Sequence, residues 1–176
     1  IFQAHGASIA LGGGAACACA DSGGVKCWGN DSDLHVVGQA GSGTYTDSVV
    51  GASLSEMGDN LQDKTFPGAD PEAVCVEVAS SPTSQHFCVI LSDDSVYCWG
   101  PSYIGEAGSI TFPHGPDTYR IPRKLPLPSG KVPVQLMLGG WSSCVLTEPL
   151  GEVYCWGRIA PLWLAGGYTL GGTHWG

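Results

Sequence analysis

Three copies of one cysteine-containing pattern constrain the fold of this chain more than any other feature. The copies are CACADSGGVKCWG at 17–29, CVILSDDSVYCWG at 88–100 and CVLTEPLGEVYCWG at 144–157. Short apolar runs precede them, at residues 8–11, 74–79 and 134–138. Each unit is therefore predicted to be an apolar strand followed by a strand, a turn and a strand, which together make a small antiparallel sheet.

The spacing of the two cysteines that bracket each hairpin predicts its register. Opposed residues of an antiparallel ladder share a constant sum of residue numbers, so placing the cysteines face to face leaves a turn of three or four residues. Opposed Cβ atoms lie roughly 4.5–5.5 Å apart, which is close to disulfide spacing. The predicted disulfides are Cys17–Cys27, Cys88–Cys98 and Cys144–Cys155, with turns at 21–23, 92–94 and 148–151.

Two of the eight cysteines, Cys19 and Cys75, do not belong to these three pairs. By exclusion they could bridge the second strand of the first copy to the innermost strand of the second, and free or intermolecular thiols are the alternative. None of the eight falls in a C-x-x-C pair, the spacing that zinc sites and thioredoxin-like motifs use. Disulfides imply a compartment outside the reducing cytosol, so the predicted location is extracellular or at the cell surface.

Strand alternation places bulky side chains on both faces of each sheet. Val96 and Cys98 share one side of their strand, and Tyr97 and Trp99 share the other. A sheet that is apolar on both sides must be sandwiched between neighbours, and repetition of such sheets builds a propeller or a stacked solenoid. The Trp of each CWG is therefore interpreted as packing between sheets, with sugar stacking as the alternative.

The composition agrees with an all-β domain and limits its partners. The 27 Gly and 12 Pro favour short strands joined by many turns. Seven Lys and Arg against sixteen Asp and Glu give a net charge of −9, which disfavours nucleic-acid binding through a basic surface. Apolar stretches end well before the roughly 20 residues of a membrane helix, so no membrane span is expected. The chain begins Ile-Phe-Gln, without Met or a signal-like segment, as a mature or excised segment would.

Each copy resembles the repeat of the regulator of chromosome condensation family, in its extracellular branch with two cysteines per repeat. Besides the CWG hairpins, the resemblance rests on IALGG at 9–13, CAC at 17–19, GQAG at 38–41, HFC at 86–88 and GG at 139–140. The segment EMGDNL at 56–61 also resembles an inter-repeat linker of that branch. The resemblance implies that each copy is one blade of a β-propeller.

The predicted architecture is a single all-β domain over residues 1–176, a partial propeller of about three RCC-type blades stapled by disulfides. The repeats are expected at about 7–41, 73–108 and 132–167, with enlarged loops at 42–72 and 109–131 and a tail at 168–176. Closed propellers have roughly four to eight blades, so three blades form an arc that something else must complete.

Several residues are candidates for modification or contact. Asn30 opens an Asn-Asp-Ser sequon in a predicted loop and is a candidate glycosylation site. Trp141 and Trp163 lie outside the CWG pattern and are candidates for a contact surface. A Pro-rich linker carries basic residues that could dock on a neighbour's carboxylates, with a solvated extended loop as the alternative. The basic residues of this linker are Arg120, Arg123, Lys124 and Lys131, and the first three are the interaction candidates.

The sequence shows no catalytic or metal-binding motif. The five histidines lack HExxH or any other metal spacing, and they are interpreted as scattered polar or turn residues. There is no GxSxG and no glycine-rich phosphate loop. The prediction is a chain without enzymatic activity, metal or other cofactor.

These features favour a non-catalytic extracellular structural or assembly module, part of a cell-surface or filamentous glycoprotein. Its sheet edges would be covered by copies of itself or by the rest of a longer chain. The alternative is a propeller module that recognises carbohydrate or protein through its enlarged loops. The resemblance also implies the guanine-nucleotide exchange and chromatin binding of the founding members, which close seven blades. The acidity, the cysteine pairs and the number of repeats argue against both, since fold alone does not carry function.

Overall fold

A computed structural model describes residues 8–30, 49–83, 86–101, 105, 107–108 and 121–157, which form three antiparallel sheets. Blade 1 comprises β1 (Ile9–Gly12), β2 (Ala15–Cys19), β3 (Val25–Asn30) and β4 (Val49–Val50). Blade 2 comprises β5 (Cys75–Ser80), β6 (Phe87–Leu91), β7 (Val96–Trp99) and β8 (Arg123–Lys124). Blade 3 comprises β9 (Val132–Leu138), β10 (Ser142–Glu148) and β11 (Glu152–Gly157). Within each blade, strands that are consecutive in the chain are neighbours in the sheet.

The three hairpins have the register that the cysteine spacing predicts. Each of the three cysteine pairs is face to face in its ladder. In blade 2, Leu91 N donates to Ser95 O at 2.9 Å, which leaves a three-residue turn at 92–94. In blade 3, Thr147 lies opposite Glu152, so the extra residue of the third copy is absorbed by a four-residue turn.

Short strands lie inside both segments that were predicted to be enlarged loops. β4 pairs with the end of β3, and β8 pairs with β7, so each is the outer strand of its blade. The prediction of a loop at Asn30 was also wrong, because Asn30 is the last residue of β3 and lies opposite Val49. Two 3₁₀ turns, Leu54–Glu56 and Gly58–Asn60, follow β4. A two-residue strand carries no alternation of apolar and polar residues, so the sequence pattern does not reveal it.

The blades stack face to face, and the first strands of successive blades lie beside each other. β5 contacts both β1 and β9. The disulfide-bearing face of blade 1 packs on the aromatic face of blade 2, and the disulfide-bearing face of blade 2 packs on the aromatic face of blade 3. The described residues therefore form a partial β-propeller of three blades, as the sequence predicts, and their hydrophobic core is divided between two junctions.

Candidate interaction surfaces

Junction 1–2 is an apolar layer between blades 1 and 2. Its blade 1 side is small: Ala10, Ala15, Cys17, Val25 and Cys27 are all at most 6% exposed. Its blade 2 side is bulky and includes Phe87, Val89, Tyr97 and Trp99. Small side chains thus meet large ones, which lets two flat faces interdigitate at the density of a protein interior.

An aromatic cluster and a lysine seal the outer edge of junction 1–2. The Phe66 ring lies 5.3 Å from the Tyr97 ring and 6.0 Å from the Trp99 ring, and Phe87 stacks on Trp99 at 5.8 Å. Lys64 places its ammonium 5.4 Å from the centre of the Trp99 ring, within cation–π range. The segment between blades 1 and 2 is therefore part of the core and not a detached loop. Sequence reasoning missed Lys64 and Phe66, because nothing in their spacing marks them.

All eight cysteines lie in described residues, and all of them are disulfide-bonded. The sulfur atoms of Cys19 and Cys75 are 2.03 Å apart, and this bond joins β2 of blade 1 to β5 of blade 2. The bridge proposed by exclusion therefore forms in the structure, and the alternative of free thiols does not apply to it. Four disulfides indicate an oxidising environment.

Junction 2–3 combines an apolar layer with buried polar groups. Cys88, Ile90, Val96 and Cys98 of blade 2 pack against a set of blade 3 residues. The blade 3 residues are Leu136, Val145, Tyr154 and Trp156. Within the described residues no disulfide crosses this junction.

The polar core of junction 2–3 is His86, which is fully buried and lies with Nε2 2.6 Å from Ser143 Oγ. Burial disfavours the imidazolium form and lowers the pKa of His86 to about 4. The histidine is therefore neutral at physiological pH. Sequence reasoning interpreted His86 as a scattered polar or turn residue, which is wrong because it joins two blades.

A second hydrogen bond crosses junction 2–3 beside the first strands. Glu77 Oε2 on β5 accepts from Leu136 N on β9 at 2.9 Å. Partial burial raises the pKa of the Glu77 carboxyl, while the bond from Leu136 N acts in the opposite direction. The equivalent bond at junction 1–2 joins Ser8 Oγ of blade 1 to Val78 N of blade 2 at 3.1 Å.

Each end of the arc presents one face of the kind that is buried inside it. The side of blade 1 that does not carry the disulfide corresponds to the aromatic faces of blades 2 and 3, and we call it the head face. The head face consists of Ile9, Leu11, Ala16, Ala18, Lys26 and Trp28. Ile9 and Leu11 lie two residues apart on this face, and they are 61% and 68% exposed. Adjoining exposed apolar residues mark an interaction site more strongly than single ones do.

The outer part of the head face is covered by the segment that follows β4. Lys26 Nζ donates to Leu61 O at 2.6 Å and to Gly58 O at 3.3 Å, and it lies 3.9 Å from an Asp63 carboxylate oxygen. Leu61 is 7% exposed. This covering leaves the inner part, at Ile9 and Leu11, as the exposed apolar portion. An open groove of about 430 Å³ adjoins it, lined by the Gly12–Gly14 turn, Leu11, Ala16, Trp28 and Pro82.

The opposite end of the arc presents the disulfide-bearing side of blade 3, which we call the tail face. By register it consists of Gln135, Met137, Cys144, Leu146, Val153 and Cys155. Met137 is 50% exposed, and Gln135 is also exposed. Cys144 and Cys155 are partly exposed, whereas the equivalent cysteines of blades 1 and 2 are at most 2% exposed.

The predicted contact residues lie in different places. Trp141 is 46% exposed and lies in the turn between β9 and β10. Arg123 and Lys124 form β8, and Asn30 is exposed at the end of β3. Arg120 and Trp163 lie outside the described residues.

Two basic residues of the Pro-rich linker interact with carboxylates of the same chain. Lys131 lies just before β9 and pairs with Glu152 at 2.6 Å, within its own blade. Lys124 contributes to the field around Asp93 in the turn of blade 2. Burial opposes ionisation of Asp93, but hydrogen bonds from Ser95 and from backbone N–H groups, together with Lys124, lower the pKa of this carboxyl. Part of this positive charge is thus compensated within the chain.

The described residues contain no group of three or more His, Cys, Asp or Glu side chains that could hold a metal ion. In the same ranges, no helix is long and apolar enough to cross a membrane. Among the described residues, the candidate sites are the two end faces, the groove beside the head face and the polar core of junction 2–3.

Comparison with solved structures identifies the architecture. Yeast RCC1 (Prp20), in a crystal structure bound to Kap60, matches with a TM-score of 0.59 and 20% identity over 90% of this chain and 31% of its own. The fold is that of an RCC1-type propeller. Prp20p from Saccharomyces cerevisiae, studied for its binding to Gsp1p and histones, matches with a TM-score of 0.57 and 19% identity over 90% of this chain and 32% of its own. Human WBSCR16 matches with a TM-score of 0.57 and 20% identity over 86% of this chain and 34% of its own.

The chain spans about a third of the length of these three proteins. No protein-family model and no curated protein matches it. At 20% identity or less the likeness establishes the fold and not the activity.

Proposed function

We propose that this chain is a non-catalytic assembly module, an arc of three blades whose end faces are covered by other protein. The proposal depends on the exposure of Ile9 and Leu11 on the head face and of Met137 on the tail face. The equivalent faces are buried at both internal junctions. Contiguous exposed apolar sheet faces mark interaction sites, because leaving apolar surface in water costs about 25 cal/mol per Å².

The proposed setting is extracellular, as part of a cell-surface or filamentous glycoprotein. Four disulfides support it, since reducing compartments do not maintain such a framework. Asn30 supports it as a candidate glycan acceptor, because its side chain is exposed at a strand end. Glycosylation there would be read as a mass increment that peptide N-glycosidase removes and that Asn30→Gln abolishes.

Protein recognition is the second candidate. Its support is the likeness to Prp20, which binds Kap60 and is described with Gsp1p and histones. Trp141, 46% exposed, offers an aromatic contact for a protein or a glycan. The net charge of −9 does not favour nucleic acid as the partner.

The test is the mass in solution of the chain produced in an oxidising compartment, with all four disulfides verified by mass spectrometry. Light scattering across the micromolar range should give multiples of 18.2 kDa, and electron microscopy should show the corresponding particles. A constant mass of 18.2 kDa, together with saturable binding to a glycan array that Trp141→Ala abolishes, would reverse the ranking of the two candidates.

A further inference from the structure

We propose that the partner of each end face is a second copy of this chain, docked with its tail face on the head face of the next copy in the manner of successive blades. This inference rests on the proposed assembly role, and it specifies the surfaces and their polarity. It follows from three features of the two internal junctions.

The first feature is positional equivalence. The ladders place Ile9, Val78 and Leu136 at the same position of the first strand, opposite Ala18, Val89 and Val145. Likewise Trp28 corresponds to Trp99 and Trp156, each one residue after the second cysteine of its hairpin. The residues of blades 2 and 3 in these two sets are buried at the junctions, whereas Ile9 is 61% exposed and Trp28 partly exposed.

The second feature is a compensating change of size. At junction 1–2 the residue opposite the first hairpin cysteine is Ala10, and it packs in one cluster with Phe87 and Val89. On the tail face the same position holds Met137. On the head face the positions of Phe87 and Val89 hold Ala16 and Ala18. A large residue on the tail face thus faces small residues on the head face, which conserves the volume of the layer.

The third feature is a repeated hydrogen bond between first strands. Ser8 Oγ bonds Val78 N at 3.1 Å, and Glu77 Oε2 bonds Leu136 N at 2.9 Å. Ser8 and Glu77 lie one residue before Ile9 and Val78, the equivalent positions of their first strands. The third member of this series is Gln135, which lies one residue before Leu136. Gln135 is exposed on the tail face, and its amide oxygen can accept a hydrogen bond from a backbone N–H as the side-chain oxygens of Ser8 and Glu77 do.

The corresponding donor is the backbone N–H of Ile9 in the next copy. Cys19 N donates to Ser8 O at 2.9 Å, so residues 8 and 19 form a hydrogen-bonded pair of the ladder. In an antiparallel ladder the next pair, Ile9 and Ala18, is then of the non-bonded type, and its N–H groups point away from the partner strand. The Ile9 N–H therefore points toward the side on which Val78 N meets Ser8 inside the molecule.

A contact of this kind joins two different surfaces of the same chain. It is heterologous, so it forms a ring if the rotation closes and a filament if it does not. Two arcs would supply six blades, within the roughly four to eight of closed propellers. In either case, blocking one face of every copy stops growth completely.

The test uses one variant for each face and a matched control. Leu11→Asp places a charge on the head face, and Met137→Asp places one on the tail face. Ile121→Asp is the control, because it changes a residue that is 53% exposed beside β8 in the middle blade. Circular dichroism and the absence of free thiols establish that each variant folds. Light scattering should give 18.2 kDa for each face variant alone and the wild-type mass for Ile121→Asp.

Mixing the two face variants tests polarity. Each variant keeps one intact face, so an equimolar mixture should form a complex of two chains and no larger species. Gln135→Ala should weaken wild-type association about three- to tenfold, the loss of one hydrogen bond. Assembly of Met137→Asp alone or of Leu11→Asp alone, or a mixture that stays at 18.2 kDa, would overturn the head-to-tail arrangement. If the wild type itself stays at 18.2 kDa, the assembly role fails as well.

Discussion

The two junctions between blades bury equivalent faces but are held by different chemistry. Junction 1–2 is apolar, is sealed by the rings of Phe66 and Trp99, and is crossed by the Cys19–Cys75 disulfide. Junction 2–3 relies on packing and on the buried pair of His86 and Ser143. One repeat architecture therefore accommodates a covalently linked junction and a junction with a buried titratable group side by side. The first should respond to reduction, and the second to pH.

Removing the interblade disulfide should have the largest effect. The Cys19–Cys75 bond closes a loop of 56 residues, which corresponds to about 4 kcal/mol of unfolding free energy in the chain-entropy model. Cys19→Ala with Cys75→Ala should therefore lower the free energy of unfolding by about that amount, as measured by urea denaturation. Limited proteolysis should show cleavage appearing first between blades 1 and 2.

The matched control is Cys144→Ala with Cys155→Ala. This pair spans 11 residues within one hairpin, which corresponds to about 3 kcal/mol in the same model. Its removal should leave junction 1–2 resistant to protease. A larger loss of stability for this control than for the interblade pair would contradict the distinction between the two kinds of disulfide.

Acidification should weaken junction 2–3 through His86. The pKa of His86 is about 4 in the folded chain against 6.5 for an ordinary histidine, so the unfolded state binds more protons between these values. Its contribution is fully present above pH 6.5 and is lost as the pH falls toward 4, by about 3 kcal/mol in total. Denaturation midpoints measured at intervals across this window should fall accordingly.

His86→Gln is the control for the pH effect. Glutamine does not titrate, and its amide can still bond Ser143, so the variant should be less stable at neutral pH but should lack this part of the pH dependence. If the free energy of unfolding of His86→Gln still fell with pH between 6.5 and 4 as steeply as that of the wild type, other groups would be responsible for the pH dependence. The Cys19–Cys75 variant should keep the wild-type slope, because His86 lies at the other junction.

Much of this fold could be predicted because cysteine spacing encodes register. The separations of 10, 10 and 11 residues between paired cysteines fixed three hairpins and their turns. Exclusion then pointed to the Cys19–Cys75 bridge. The alternation of Cys and Trp in each hairpin predicted two buried faces per sheet, and that requirement is what the stacked blades satisfy.

The remainder depends on contacts that are distant in sequence. His86 meets Ser143 across 57 residues, and no local pattern of either residue indicates the other. The outer strands β4 and β8 are two residues long, so their segments were predicted as loops. The basic pair Arg123 and Lys124 was predicted as part of a Pro-rich linker, yet it pairs with Cys98 and Tyr97 in the sheet. The series of Ser8, Glu77 and Gln135 becomes visible only once the first strands are in register.

The smallest expected effect concerns Glu77 and has the opposite sign to that of His86. Burial raises the pKa of this carboxyl, so the protonated form stabilises the folded chain below pH 4.5, and that stabilisation is lost as the pH rises through the folded pKa. Glu77→Gln keeps an acceptor for Leu136 N without the charge. It should therefore raise the free energy of unfolding at pH 7 by less than about 1 kcal/mol, since Glu77 is partly exposed. Glu77→Ala, which removes the acceptor, should lower it; if Gln and Ala behave alike, the hydrogen bond to β9 contributes nothing to the junction.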